Sequence, residues 1–206
     1  MEDYRLLKIF YLLLKAYGKQ GWWPLTERSI KWPNKEKEKF EIIIGAILTQ
    51  NTAWKNVEKA LENLNKENLI DLKRIVKIKK EKLEKLIRPT GYYRQKAEKL
   101  KLIASYILKN YKSIENFFDK PLEELRHELL KLKGIGNETA DSILLYAAEK
   151  PIFVIDAYTK KIFSRLGFFD ERISYEKAQQ FFMQSLPKDI ELFKEYHALI
   201  VEHAKR

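Results

Sequence analysis

Apolar residues recur at helical spacing along nearly the whole chain. Phe40, Ile43, Ile44, Ile47 and Leu48 fall at i, i+3, i+4, i+7 and i+8, so the β-branched run EIIIGAIL (41–48) predicts a buried helix rather than a strand. Val57, Leu61 and Leu64 mark the next helix, and Ala97, Leu100, Ala104 and Ile107 another. Leu122, Leu125 and Leu129 lead into a glycine turn; Ala140, Ile143, Leu144 and Ala147 follow it. Leu192, Tyr196, Leu199 and His203 line a last helix. Breaks between these elements are brief. Pro24 and Pro33 frame one loop, RPTG (88–91) makes a second, Pro121 opens a helix and Pro187 marks a further break. PIFVID (151–156) is the one extended stretch. The fold class is all-α with short connections.

Composition narrows the possible chemistry. The chain has 206 residues, 45% of them hydrophobic, enough for a substantial core. Its 40 Lys and Arg against 29 Asp and Glu give a formal charge of +11. That balance points to a polyanion such as nucleic acid, although a lysine-rich surface favouring solubility and heat resistance gives the same count. With no cysteine there is no disulfide, no Cys-ligated zinc or iron–sulfur cluster and no thiol nucleophile. Three histidines, at 127, 197 and 203, do not form a metal cluster, and His127 and His203 fit helix surfaces. No apolar run reaches membrane-spanning length, and IFYLLL (9–14) reads as an amphipathic core helix, so the default compartment is the cytoplasm.

The candidate chemistry lies in two places. In LKGIGNETADSILLYA (132–147), Gly134 and Gly136 allow backbone angles that a side chain would oppose, Asn137 is a good N-cap, and Lys131 and Lys133 are near. A hairpin of this kind presents unpaired N–H groups to a phosphate. An ordinary corner between two helices has the same signature. Twenty residues beyond Gly136, PIFVIDAYTKKIFSRLG (151–167) delivers Asp156 to a helix start, where a carboxylate serves either as a cap or as a reactive group.

These two motifs, preceded in order by FEIIIGAILTQNTAW (40–54) and GYYRQKAEKL (91–100), resemble the helix-hairpin-helix–Gly/Pro–Asp superfamily of base-excision DNA glycosylases, of which endonuclease III is one branch. The resemblance runs from about residue 36 to 168 by motif. It implies a central helical domain at 36–135 and a second built from 1–35 and 136–206, with the hairpin and Asp156 bordering a cleft between them. It also implies roles. Asp156 matches the catalytic aspartate, which stabilises positive charge on the sugar or activates water as the base leaves. Gln50 matches the residue that fills the gap left by a flipped base; the simpler alternative is that it closes its helix. Lys133, Gly134, Ile135, Gly136, Asn137 and Thr139 form the DNA grip, where relatives often hold a monovalent cation. The partner would be double-stranded DNA carrying damaged bases, and the enzyme would act as a monomer.

The chain departs from endonuclease III in informative ways. Asn137 follows GIG where the superfamily name expects proline. Glu138 occupies the position of the lysine whose amine forms a Schiff base and cuts the strand, and a carboxylate cannot form an imine. The four cluster-binding cysteines are absent, so Leu192, Tyr196 and Ile200 must hold the last helix by packing. Trp22, Trp23 and Trp54, with WWP ahead of ILTQNT, look most like the bacterial 3-methyladenine glycosylases, which stack aromatic rings on the damaged base. Electron-rich rings suit a cationic N-alkylated purine at about 0.5–2 kcal/mol per contact; core packing is the other use of such tryptophans. Some of those enzymes carry a modified lysine in the last helix, where this chain has Leu199. The expected function is therefore a glycosylase for alkylated purines with little lyase activity, Lys133 and Lys160 being possible sources of slow strand cleavage. The competing readings are an endonuclease III-like enzyme for oxidised or mismatched pyrimidines and a non-catalytic DNA-binding module.

Overall fold

A computed structural model describes residues 4–26 and 35–206. Glu2, Asp3 and Pro33 lie outside them. The described residues contain helices and no strand, as the apolar spacing predicts. Their backbone contacts group into two units: Leu25–Ile143, and Met1–Pro24 with Leu144–Arg206.

The first unit holds α2 (Lys35–Leu48), α3 (Trp54–Lys66), α4 (Leu72–Lys77) and α5 (Lys80–Leu86). A single 3-10 turn, Arg88–Thr90, leads into α6 (Tyr93–Tyr111), then α7 (Ile114–Phe118), α8 (Leu122–Lys131) and α9 (Asn137–Ser142). EIIIGAIL is helical, with Ile43, Ile44, Ile47 and Leu48 completely buried. Its helix packs against α3, α6 and α7, while α4 and α5 pack on α6. The starts follow the chemistry of unpaired helix N–H groups. Asp71 caps α4 through the Arg74 N–H and Ser113 caps α7 through that of Asn116, each worth about 1 kcal/mol. Buried Glu41 accepts from both the N–H and the hydroxyl of Thr26, which fastens the chain ahead of α2.

The second unit joins α1 (Tyr4–Tyr17) to α10 (Ala157–Arg165), α11 (Tyr175–Ser185) and α12 (Ile190–Ala204). α12 packs on α1 and on α10. Phe153, Phe163, Phe182, Phe193 and Tyr196 form its fully buried aromatic core, and Phe153 stacks on Phe182 with centroids 4.3 Å apart. The Tyr196 hydroxyl donates to the Leu6 carbonyl at 2.8 Å. Tyr196 and Ile200 are fully buried, whereas Leu192 is only partly so; Phe193 takes the inner position beside it.

Two local details differ from the periodic reading. The helix after the hairpin ends at Ser142 and continues as a π-helical turn over Ile143–Ala147. The wider turn inserts one residue per round and buries Leu144, Leu145, Tyr146 and Ala147 together. PIFVID is neither helix nor strand: a tight turn opens it, with the Ile152 N–H donating to the Lys150 carbonyl, and Asp156 at its end takes extended backbone angles. The Phe153 N–H meets the Met183 sulfur, the Phe153 carbonyl accepts from the Gln179 amide, and the Ile155 N–H donates to the Tyr175 hydroxyl. Side chains thus satisfy backbone groups that a ladder would otherwise pair.

Candidate functional site

In the first unit the hairpin is braced from both sides. Arg126 on α8 forms a two-point ion pair with fully buried Asp141 on α9, at 2.7 and 3.1 Å, and also reaches the Asn137 side-chain oxygen at 3.2 Å. The turn between them carries Gly134 at φ +87°, a left-handed conformation that favours glycine. A methyl group there would lie 2.3 Å from Cε of Lys99. Gly136 is different. Its φ is −94° and space lies around it, so it needs no special angle; it is itself the N-cap of α9, and Asn137 is the first helical residue. Gly134, Gly136, Lys133 and Glu138 are exposed, while Ile135 and Thr139 are buried beneath them.

Gln50 lies against this hairpin. Its amide nitrogen donates to Thr139 Oγ1 at 2.9 Å and to the Gly134 carbonyl at 3.2 Å, and its oxygen accepts from Lys99 Nζ at 2.5 Å. An ammonium group only donates and a carbonyl only accepts, so the orientation of the amide is determined at both ends. Burial lowers the Lys99 pKa. Just behind, Lys96 is almost fully buried and donates to the carbonyls of Leu48 and Thr90 at 2.9 and 2.8 Å. It closes the end of α2 immediately before Gln50. Burial, with the Lys99 charge adding to it, brings the Lys96 pKa down to about 8. Both lysines sit in the GYYRQKAEKL motif, and sequence reasoning assigned neither a role. The mismatch of a charge with an apolar helix face was the available signal.

Asp156 lies in the second unit and is nine-tenths buried. It caps α10: Oδ1 accepts from both the N–H and the hydroxyl of Thr159, each at 2.7 Å. Oδ2 faces His197 Nε2 of α12 at 3.8 Å. His197 is buried too, and its Nδ1 lies 2.8 Å from the Tyr146 hydroxyl, which is also within donating distance of the Lys194 carbonyl at 3.2 Å. Burial pushes the His197 pKa down, against an upward pull from the Asp156 carboxylate. Burial, reinforced by Asp156 and Glu195, holds Tyr146 protonated well above the usual phenol range. His197 went unassigned in the sequence because HALI reads as ordinary helix core.

The tryptophans are divided between the units. Trp22 and Trp23 belong with Asp156, their rings 5.7 Å apart, and Trp23 meets Tyr146 edge to face at 5.3 Å. Trp54 opens α3 near Gln50 in sequence, half-buried, and donates to Glu58 at 2.9 Å. Lys160 is occupied by the Ile173 carbonyl at 2.8 Å, whereas Lys133 stands exposed beside the hairpin. The described residues hold no cluster of metal-ligating side chains.

Comparison with known proteins identifies the family of the chain. The chain is 48% identical over 203 residues to a protein of Methanocaldococcus jannaschii provisionally named a DNA repair glycosylase, covering 98% of this chain and 87% of the relative. It is 32% identical over 157 residues to endonuclease III of Thermotoga maritima, covering 76% and 70%. Among solved structures, the H. pylori 3-methyladenine DNA glycosylase bound to 1,N6-ethenoadenine superposes with a TM-score of 0.81 at 35% identity, over 100% of this chain and 98% of that one. An endonuclease III–DNA covalent intermediate, at 22% identity and a TM-score of 0.75 over 98% and 85%, shares the fold. Residues 44–188 match the HhH-GPD superfamily, and the chain is a member of this superfamily of base excision DNA repair proteins.

Proposed function

We propose that the protein is a DNA glycosylase that releases an alkylated purine, of the 3-methyladenine type, and leaves the strand uncut. The observation that carries this reading is Glu138. It stands exposed at the second position of α9, where a strand-cutting relative would need an amine. Without an imine, water must complete the reaction. Asp156 suits that route: Thr159 occupies one carboxylate oxygen and leaves Oδ2 for the sugar or for water. An N-alkylated purine is already cationic and leaves without strong acid assistance. The ring pair Trp22–Trp23 offers it an electron-rich face. The whole-chain likeness to a 3-methyladenine glycosylase supports the same substrate.

In this reading Lys133, Gly134, Ile135, Gly136, Asn137 and Thr139 grip the phosphate backbone of duplex DNA, with a monovalent cation at the hairpin carbonyls. Gln50 enters the gap left by the extruded base, Trp54 adds a stacking surface, and the protein works as a monomer. The test is incubation with methylated duplex DNA, measuring freed bases and counting strand breaks before and after alkali. Release of 3-methyladenine with breaks only after alkali is expected. The second reading, an endonuclease III-like enzyme for oxidised pyrimidines, is favoured by the Thermotoga maritima relative. Breaks before alkali on oxidised DNA, without purine release, would establish it instead.

A further inference from the structure

We infer that His197 is a positioning residue for Asp156, working in its neutral form with Nε2–H directed at Oδ2 and its ring held by Tyr146. The inference rests on the proposed role of Asp156. Thr159 engages Oδ1 with two donors, so the reactive oxygen is Oδ2. The group facing it is His197 Nε2, 3.8 Å away, a buried nitrogen without a hydrogen-bond partner. A lone pair turned at a carboxylate in a buried site would be repelled, so the proton belongs on Nε2. Nδ1 is then the acceptor: the Tyr146 hydroxyl has one proton and two acceptors in reach, and in this tautomer it goes to Nδ1 at 2.8 Å, the shorter contact, rather than to the Lys194 carbonyl at 3.2 Å. Tyr146 can hold this role at any working pH because its own ionisation is suppressed by burial.

The arrangement orients the carboxylate without neutralising it. A neutral imidazole at Oδ2 leaves the negative charge available to a cationic sugar. Protonation of His197 would place a full positive charge beside Oδ2 and cancel that attraction. The ionisable groups facing His197 are Asp156 at the start of α10 and Tyr146 in the π turn. Glu195 lies on its own helix and accepts from the Gln20 N–H; α1 presents Leu6 and Phe10 at Tyr196, and Tyr17 at His203. The group that pairs with a protonated His197 is therefore Asp156. Because burial disfavours the imidazolium, the site stays open at neutral pH and closes on acidification.

The test combines single-turnover release of 3-methyladenine across pH with NMR of the three histidines. His197→Gln keeps an N–H near the position of Nε2 but does not titrate; it should retain most of the neutral rate and lose the acid limb due to His197. His197→Phe should lose about tenfold or more in single-turnover rate with DNA affinity unchanged, as expected for an oriented general base losing its support. Tyr146→Phe, which changes one atom, should give a smaller loss if the larger substitution impairs folding. In Asp156→Asn the His197 resonance should titrate at lower pH than in the parent. An unchanged His197 titration in Asp156→Asn, or an unchanged acid limb in His197→Gln, would overturn the inference while leaving the glycosylase reading intact. Base release that survived Asp156→Asn would remove the role of Asp156 and this inference with it.

Discussion

Gly134→Ala tests whether the hairpin and the Gln50 side chain form one mechanical unit. The substitution has three consequences. At φ +87° a side chain costs about 1–2 kcal/mol of backbone strain. The new methyl would stand 2.3, 2.9 and 3.1 Å from Cε, Cδ and Cγ of Lys99, so the lysine stem must move and its bond to Gln50 must lengthen or break. A partly exposed charge-assisted bond is worth about 1 kcal/mol, well below the buried range. Against these, the loss of unfolded-state freedom returns about 0.4–1 kcal/mol. The net expectation is a destabilisation of about 1–3 kcal/mol. Gly136→Ala is the control: with φ −94° and open space around its Cβ, it should change stability by less than about 0.5 kcal/mol. Guanidinium unfolding of both variants measures the contrast. Repeating Gly134→Ala in a Lys99→Ala background separates the terms, since the steric part vanishes there and the strain remains. Equal costs for the two glycines, or an identical cost of Gly134→Ala in both backgrounds, would refute the reasoning.

Further outcomes follow from other contacts. Arg126→Met leaves the fully buried Asp141 carboxylate without its guanidinium and should cost about 3–5 kcal/mol in denaturant unfolding; a cost below 1 kcal/mol would show that the pair does not brace the hairpin. Lys96 has a folded pKa of about 8 against an ordinary 10.5, so between these values the unfolded chain holds a proton that the folded chain has released. Stability therefore rises with pH across that window, by up to about 3 kcal/mol relative to Lys96→Met, and a pH-independent difference between the two proteins would contradict it. Glu138→Lys should become trappable on abasic duplex DNA by borohydride, with no adduct from the parent; trapping of the parent would show that another amine already serves. Raising salt from 50 to 200 mM should weaken DNA binding by orders of magnitude if several phosphates are contacted, and a flat response would argue against the grip.

The architecture was legible because each helix carries one periodic apolar face, and local chemistry marks the ends. EIIIGAIL resolved as a helix by spacing alone, against its β-branched composition, because burial on α3, α6 and α7 rewards the 3.6-residue period more than β-propensity opposes it. The hairpin and Asp156 at a helix start could likewise be read from the sequence, whereas the exposure of Glu138 is visible only in the structure. What could not be read was pairing across distance. Lys99 and Gln50 are 49 residues apart, and His197 and Tyr146 are 51 apart. Nothing in a local window tells a buried histidine from a neighbour in an apolar run. The π turn escaped for a related reason: its extra residue alters which side chains are buried without altering their composition. Of the two hairpin glycines, Gly134 has the conformational need that the sequence pattern suggests for both.

The hydrogen bond between Tyr196 and the Leu6 carbonyl joins groups 190 residues apart, and it has a consequence for biosynthesis. Residues 25–143 form a contiguous unit that can fold as soon as it leaves the ribosome. α1 emerges before it but cannot complete its packing until α12 follows. At 5–20 residues per second that delay is roughly 10–40 s, during which Leu6 and Phe10 have no native cover. A nascent chain stalled before α12 should therefore expose α1 to chaperones and proteases while the middle of the protein is already resistant.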